Sequence, residues 1–239
     1  MKKISLVVPA YNEEKYITDL LESAIAQDEP FLEIIVSIDT KTRDQTEAIC
    51  QQYALHNVRT IRSKSGVANV RQAGFIAAKG EIIASTDADS VLPHNWSHQI
   101  STGFYKHPKT ALCYGPIAFH KHELSRAMHH LTKHSYKMFI RITQTLGRPN
   151  PAGANFAVQA SIFNKINGFN TKLKTAEDID LSRRASRYGA IRYLPKMRVY
   201  TSTRRFKGMG LLTFTSHHLK NYVTVNMQRK SSNNFKSYR

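Results

Sequence analysis

Carboxylates cluster at three places in the first half of the chain, each directly after a run of apolar residues. Glu13 and Glu14 follow the first run, Asp39 follows the second, and Asp87-Ala88-Asp89 follows the fourth. In an open parallel sheet, ligands bind at the carboxyl ends of the strands, where the strand-to-helix loops converge. We therefore expect these side chains to lie at one edge of a sheet.

Asp87 and Asp89 have the spacing of a divalent-metal site. On extended backbone, side chains two residues apart point the same way, and carboxylates aimed at one point repel unless a cation or proton joins them. Mg²⁺ and Mn²⁺ accept one or two carboxylates and fill their other positions with water and phosphate oxygens. The pair alone fits an acidic turn equally well, and its position after a strand is what favours a metal and diphosphate site.

The elements that position these loops alternate between β-rich and helical patterns. The predicted strands lie at 4–9, 32–38, 58–62 and 82–86, with helices at 14–27, 44–54 and 67–78. Further along, the patterns predict strands at 111–118, 155–159, 191–193 and 198–202, with helices at 123–146 and 176–188. The order predicts an α/β fold, a single domain with a mostly parallel central sheet flanked by helices.

Charge is distributed very unevenly. The 239 residues are 41% apolar and carry a net charge of +18, which excludes an intrinsically disordered chain and fits one domain. Residues 1–119 hold 12 basic and 13 acidic side chains, whereas residues 120–239 hold 23 and 4. Such a field attracts nucleic acid, anionic lipid headgroups or phosphorylated substrates, and a merely solvated basic surface is the alternative.

The predicted helix at 123–146 is amphipathic with a basic side. Packing on its own domain and lying on an anionic membrane surface are both open interpretations of this pattern. No apolar run is long enough to span a bilayer, and the N-terminal run is too short for a signal peptide. Two distant cysteines, Cys50 and Cys113, fit a reducing compartment, so we expect a cytoplasmic protein, with peripheral membrane association as an option.

Four separated segments together resemble the family 2 nucleotide-sugar glycosyltransferases, which have the GT-A (Rossmann-like) fold. They are residues 5–14, residues 33–46, residues 66–74 with 80–89, and Gly168-Phe169 with residues 175–184. The second segment departs from the family pattern, because Ile38 replaces an Asp and Thr40 replaces a Gly. Ser202 and Phe206 stand where processive members have Gln and Trp, so we do not predict a processive polymerase.

The resemblance implies a role for each candidate residue. Asp39 would bind the nucleotide base, with Pro9, Tyr11 and Glu13 lining the same pocket, and Asp89 with Asp87 would hold Mg²⁺ or Mn²⁺ on the diphosphate. Asp178 would be the catalytic base of an inverting transfer, although residues 175–178 also have the pattern of a capped helix start. Arg71 would add positive charge at the donor or pair with a loop carboxylate. Arg204 or Arg205 would grip a phosphate, or form a solvated basic pair. His217 or His218 as a further metal ligand stays open.

The same resemblance implies a domain organisation and a set of partners. Residues 1–205 would form the catalytic domain, with a nucleotide-sugar-binding half at 1–119 and an acceptor-binding half at 120–205, and 206–239 would be a basic helical extension. The donor would be a nucleoside-diphosphate sugar, UDP-linked by default. The sugar would go to a hydroxyl or a phosphate of an acceptor, with a cell-envelope or lipid-linked glycan as the candidate. Two alternatives remain: a degenerate member that binds the donor without turnover, and a basic nucleic-acid-binding α/β protein, for which no recognition motif is present.

Overall fold

A computed structural model describes residues 2–120, 123, 125–209, 216, 220 and 222–224, without the side chains of residues 127, 129, 133, 205, 206 and 209. Its strands are β1 Ile4–Ala10, β2 Glu33–Asp39, β3 Val58–Ser63, β4 Ile82–Ser85, β5 Ser90–Val91, β6 Thr110–Tyr114, β7 Ile117–Phe119, β8 Phe156–Gln159, β9 Ala190–Tyr193 and β10 Val199–Thr201. Its helices are α1 Ile17–Ile25, α2 Thr46–Gln51, α3 Val67–Ala77, α4 Trp96–Lys106, α5 Arg126–Thr145, α6 Ala160–Lys165, α7 Glu177–Ala185 and α8 Arg204–Met209.

Seven of these described strands form a central sheet in the order β3-β2-β1-β4-β8-β6-β9. β3, β2, β1 and β4 are mutually parallel, and β6 is parallel to β9. β8 runs antiparallel to both of its neighbours. The predicted α/β class with a mostly parallel sheet is therefore confirmed.

β1 is apolar except for the buried Ser5 because both faces of the sheet are covered. Leu6 and Val8 lie in one hydrophobic core and Val7 in the other, and all three are fully buried. A parallel strand with two buried faces reads as a continuous apolar run rather than an alternating one. The polar residues that follow this strand are therefore held at the rim of a rigid layer.

A second, small sheet in the order β5-β10-β7 fixes the C-terminal part of the described chain against the loop after β4. Thr201 of β10 pairs with Ser90 of β5 in antiparallel register. The Ser202 N–H also donates to the carbonyl of Asp89 at 3.2 Å. These contacts place the start of α8 beside the Asp87 to Asp89 segment.

Several boundaries differ from the sequence prediction. The predicted strand at 111–118 is two strands in two sheets, because Pro116 has no N–H for a ladder and the backbone at Gly115 passes so close to the Met197 carbonyl that a Cβ would overlap it. α1, α2, α5 and α7 are each shorter than predicted, and Ala54–His56 forms a separate 3₁₀ turn. α4, α6 and β5 were not predicted.

Candidate functional site

The loops after β1, β2 and β4 converge at the carboxyl edge of the sheet, as the sequence predicts. The start of α7 approaches this edge from the second half of the chain, and the start of α8 approaches it from the small sheet. Two clusters of opposite charges result. One is centred on Arg71 and the other on Arg204.

Asp39, at the end of β2, organises the loops on either side of it. One carboxylate oxygen accepts the N–H of Lys41 at 2.8 Å and the other accepts the N–H of Gly66 at 3.0 Å. The side chain is buried, whereas Pro9 and Tyr11 at the end of β1 are partly exposed. A cavity of about 250 Å³ lies beside Gly66, between residues 65–69 and 171–174. Asp39 therefore holds Gly66, which lines this space at the amino end of α3.

Arg71 joins the two halves of the site. Its buried guanidinium donates to Asp87 at 2.6 Å through Nη2 and to Glu177 through Nη1. Of the two interpretations open from sequence, pairing with loop carboxylates is the arrangement observed. A Cβ at Gly153 would overlap this guanidinium, so the absence of a side chain at Gly153 is what lets Arg71 reach both carboxylates.

Asp178, next to Glu177 at the start of α7, has a strongly perturbed carboxyl group. Burial, followed by the negative charge of Glu177, raises its pKa from 3.8 to about 7. The positive charge of Arg71 and the N–H groups of Ile179 and Gly153 oppose this shift. Ala176 provides no side-chain cap for the helix. A carboxylate with a pKa near neutrality can accept a proton at working pH, which suits a general base.

Arg204 pairs with two of the predicted donor-site carboxylates. Its Nη1 and Nη2 donate to the two oxygens of Glu13 at 2.7 and 2.6 Å, and its Nε lies 3.0 Å from Asp89. The guanidinium carbon is 4.8 Å from the centre of the Tyr16 ring. Asp89 also accepts from the Thr201 hydroxyl at 3.2 Å. Arg204 therefore lies among carboxylates rather than forming a solvated basic pair.

The expectation that Asp87 and Asp89 both lie on extended backbone is wrong. β4 ends at Ser85 and the chain turns at residues 88–89, so Asp87 contacts Arg71 whereas Asp89 contacts Arg204. Arg71 therefore neutralises Asp87, and Arg204 neutralises Asp89, in this structure.

The donor set nevertheless fits a hard divalent cation that shares its coordination with phosphate. Two aspartates supply the carboxylate oxygens that Mg²⁺ and Mn²⁺ prefer, and such ions take further oxygens from substrate and water. Among the described residues, no group of three or more His, Cys, Asp or Glu side chains is close enough to hold a metal without a substrate. The side chain of Arg205, and His217 and His218, lie outside the described residues.

Two residues of this site, Glu177 and Gly153, are not indicated as functional by the sequence pattern. Glu177 pairs with Arg71, and its negative charge helps to raise the pKa of Asp178. An acidic pair at a helix start is a usable signal for such coupling. Gly153 follows Pro151 in a loop, and nothing in the local pattern indicates that Arg71 passes over it.

Comparison with known proteins identifies the family. The model of Glycosyl transferase family 2 matches residues 5–167, more than half of the chain. The chain belongs to this family. The Glycosyl transferase family 2 assignment confirms the predicted resemblance, and it does not favour the nucleic-acid-binding alternative.

Two curated relatives each match 38% of the chain. The glycosyltransferase GlyG of Streptococcus pneumoniae is 33% identical over 96 residues, which are 38% of this chain and 32% of GlyG. The poly(ribitol-phosphate) β-N-acetylglucosaminyltransferase TarS of Staphylococcus aureus is 35% identical over 97 residues, which are 38% of this chain and 17% of TarS. The matched part thus spans a third or less of each relative.

Solved structures show the same fold over most of the chain. TarS residues 1–349 in complex with UDP-GlcNAc align with a TM-score of 0.66 at 24% identity, over 84% of this chain and 59% of that one. The mannosyltransferase PcManGT of Pyrobaculum calidifontis, in complex with GDP-Man and Mn²⁺, aligns with a TM-score of 0.73 at 18% identity, over 97% and 65% of the two chains. These alignments confirm the expected GT-A architecture.

Proposed function

We propose that this protein is a metal-dependent inverting glycosyltransferase that moves a sugar from a nucleoside-diphosphate sugar to an acceptor hydroxyl. The observation that carries the proposal is the Arg71 cluster. One guanidinium contacts Asp87 on the donor side and Glu177 beside Asp178, which has a pKa near neutrality. Arg71 therefore links the residue beside the proposed proton acceptor, Asp178, to Asp87, a carboxylate suited to a diphosphate-bound cation.

The donor would lie along the loops after β1, β2 and β4. Asp39, with Pro9 and Tyr11, would surround the base, next to the cavity at the amino end of α3. Glu13 would act indirectly by holding Arg204 rather than by touching the base. TarS was solved with UDP-GlcNAc and PcManGT with GDP-Man, which supports a nucleotide-sugar donor, and UDP is our default.

Asp87 and Asp89 would hold Mg²⁺ or Mn²⁺, and the presence of Mn²⁺ in the PcManGT complex supports this choice. When bound, such an ion neutralises charge that develops on the departing diphosphate. Arg204 holds Glu13 with both Nη atoms and Asp89 with Nε alone, so it can release Asp89 while staying anchored to Glu13. Its positive charge then remains beside the donor phosphates, where a guanidinium can bind phosphate oxygens.

Asp178 would take the proton of the acceptor hydroxyl as its oxygen attacks the sugar from the side opposite the diphosphate. One displacement of this kind inverts the anomeric centre. A phosphate acceptor is already ionised at neutral pH and needs no base, so a positioned Asp178 favours a hydroxyl acceptor over a phosphate. Residues 1–119 would then form the donor half and residues 120–205 the acceptor half.

The acceptor that we propose is a cell-envelope or lipid-linked glycan, met in the cytoplasm or at the inner face of the cell membrane. The basic second half of the chain supports an anionic or membrane-borne acceptor. Among the described residues, no helix is both long enough and apolar enough to cross a bilayer.

Donor hydrolysis tests the chemistry without knowledge of the acceptor. UDP-sugars and GDP-sugars are incubated with the protein and Mn²⁺, and early time points are followed by ¹H NMR. The proposal predicts nucleoside diphosphate and free sugar of inverted anomeric configuration, with Asp89→Asn and Asp178→Asn inactive. Release of sugar with retained configuration, or wild-type rates in both variants, would overturn it. Binding of the nucleotide sugar without release of free sugar would favour the alternative of a degenerate family member that has no turnover.

A further inference from the structure

The outer face of α5 carries a stripe of apolar side chains in solvent. Leu131, Met138 and Ile142 are 55%, 62% and 50% exposed. Their spacing of seven and four residues places them within about 40° of one another around a helix of 3.6 residues per turn. Single exposed apolar residues are common on proteins, but an aligned stripe marks a contact surface.

The opposite face of the same helix packs on the catalytic domain. Ile140 and Thr143 are buried, and Phe139 contacts the ring of Tyr222. Burial and the nearby charge of Asp178 both raise the pKa of the Tyr136 phenol, which shows that this face of α5 lies close to the proposed base. Whatever covers the outer stripe is therefore separated from the site by the thickness of one helix.

Positive charge borders the stripe along one side. Lys137 and Arg141 are exposed, and their helical positions lie on the same side of the three apolar residues. No acidic residue occurs anywhere from Leu124 to Ala176. An apolar stripe beside a basic flank is the pattern of a helix that lies in the plane of an anionic lipid surface.

Charge also distinguishes between the partners that could cover the apolar stripe of α5. A second copy that packed α5 against α5 would bring two faces without a carboxylate together. The chain beyond α8 has five basic residues and no acidic one from Gly210 to Arg239, so it too carries the wrong sign. An anionic bilayer surface supplies both apolar depth and negative charge.

We propose that α5 is a membrane-docking helix, with Leu131, Met138 and Ile142 inserted at the headgroup boundary of an anionic bilayer and Lys137 and Arg141 on its phosphates. The proposal of a docking surface does not depend on the proposed glycosyl transfer. Only its consequence, that the site opens towards acceptors carried by the membrane, rests on the proposed function.

Vesicle flotation of the full chain tests the surface without any turnover. The probes are vesicles of phosphatidylcholine alone and vesicles with one third phosphatidylglycerol. We expect binding to the anionic vesicles, at least tenfold weaker binding to the neutral ones, and a loss of at least fivefold at high salt. The triple variant L131S/M138S/I142S and the double variant K137Q/R141Q should each lose at least tenfold.

Matched controls lie elsewhere on the surface. Leu55→Ser and Ile76→Ser remove apolar side chains that are 97% and 67% exposed, and K106Q/K109Q removes two exposed charges. None should change vesicle binding. Absence of binding, or equal binding by the α5 variants, would overturn the proposal. A dimer that the triple variant abolishes would assign the stripe to a second copy, and a lower melting temperature in the triple variant would assign it to this chain's own packing.

Because flotation measures no turnover, its failure leaves the donor-hydrolysis assay untouched, and the converse also holds. With both intact, the α5 variants should keep wild-type donor hydrolysis.

Discussion

Replacing Asp178 by asparagine should abolish transfer and at the same time stabilise the protein in neutral solution. Asp178 titrates at about 7 in the folded chain against an ordinary value of 3.8. Between these values the folded state holds a proton that the unfolded state has lost, so ionisation of Asp178 costs stability progressively as the pH rises through this window. Below pH 3.8 both states are protonated and the cost vanishes.

The size of the effect follows from the two pKa values. At about 1.4 kcal/mol per pKa unit, the free energy of unfolding gained by Asp178→Asn relative to wild type should grow by roughly 2–3 kcal/mol from about pH 5 to about pH 8. Urea denaturation of both proteins at a series of pH values measures this difference, and titrations that the two proteins share cancel from it. Removal of a general base should lower turnover by roughly 10²–10⁴-fold.

Asp180→Asn is the matched control, one helical turn or less away on α7. Asp180 is buried and accepts from Arg183 at 2.8 Å and from Arg184 at 2.7 Å, so loss of its charge should destabilise the protein at every pH in this range. The difference in free energy of unfolding between Asp178→Asn and wild type should widen as the pH rises. A difference that stays constant or narrows would refute the argument that the surroundings of Asp178 disfavour its ionised form.

Three further outcomes follow from the site geometry. The pH dependence of kcat/KM should rise through an apparent pKa near 7, because Asp178 acts only after it loses its proton, and a profile that is flat from pH 5 to 8 would contradict this. Arg204→Gln leaves Glu13 and Asp89 without their cation, so the melting temperature of the variant should fall, and Mn²⁺ should raise that temperature by more than it does in wild type. Arg62→Gln, which removes an exposed ion pair, should change neither the melting temperature nor the effect of Mn²⁺. Equal Mn²⁺ shifts in Arg204→Gln and wild type would contradict the idea that Arg204 competes with the metal for Asp89. Gly153→Ala should cost about 1–3 kcal/mol of stability and lower turnover, since a Cβ there overlaps Arg71, and a variant with wild-type stability and turnover would show that the cluster can rearrange freely.

The parallel half of the fold was accessible from sequence because its signals are local. β1, β2 and β4 are buried on both faces and read as apolar runs, with helical patterns between the strands. The same alternation placed Asp39, Asp87 and Asp89 at the carboxyl edge. The split of the 111–118 strand was less accessible, since it depends on the Met197 carbonyl, which lies more than 80 residues away.

The partners of the candidate residues could not be predicted for the same reason. Arg204 reaches Glu13 across 191 positions of the chain, and Arg71 reaches Glu177 across 106. Type and spacing indicate that a carboxylate is suited to bind a cation, but they do not say which arginine will be closest. The pKa of Asp178 likewise depends on its burial and on the charge of Arg71, which lies more than 100 residues away in the sequence.

The most direct test of the central claim is a thermal-shift panel of UDP-, GDP-, dTDP- and CDP-sugars, each with and without Mn²⁺, on wild type and Asp89→Asn. A ligand that binds only the folded state must raise its stability. We predict a shift for one nucleotide that requires Mn²⁺ and disappears in the variant. A shift of the same size in Asp89→Asn, or one independent of Mn²⁺, would contradict the metal-dependent donor site that we propose.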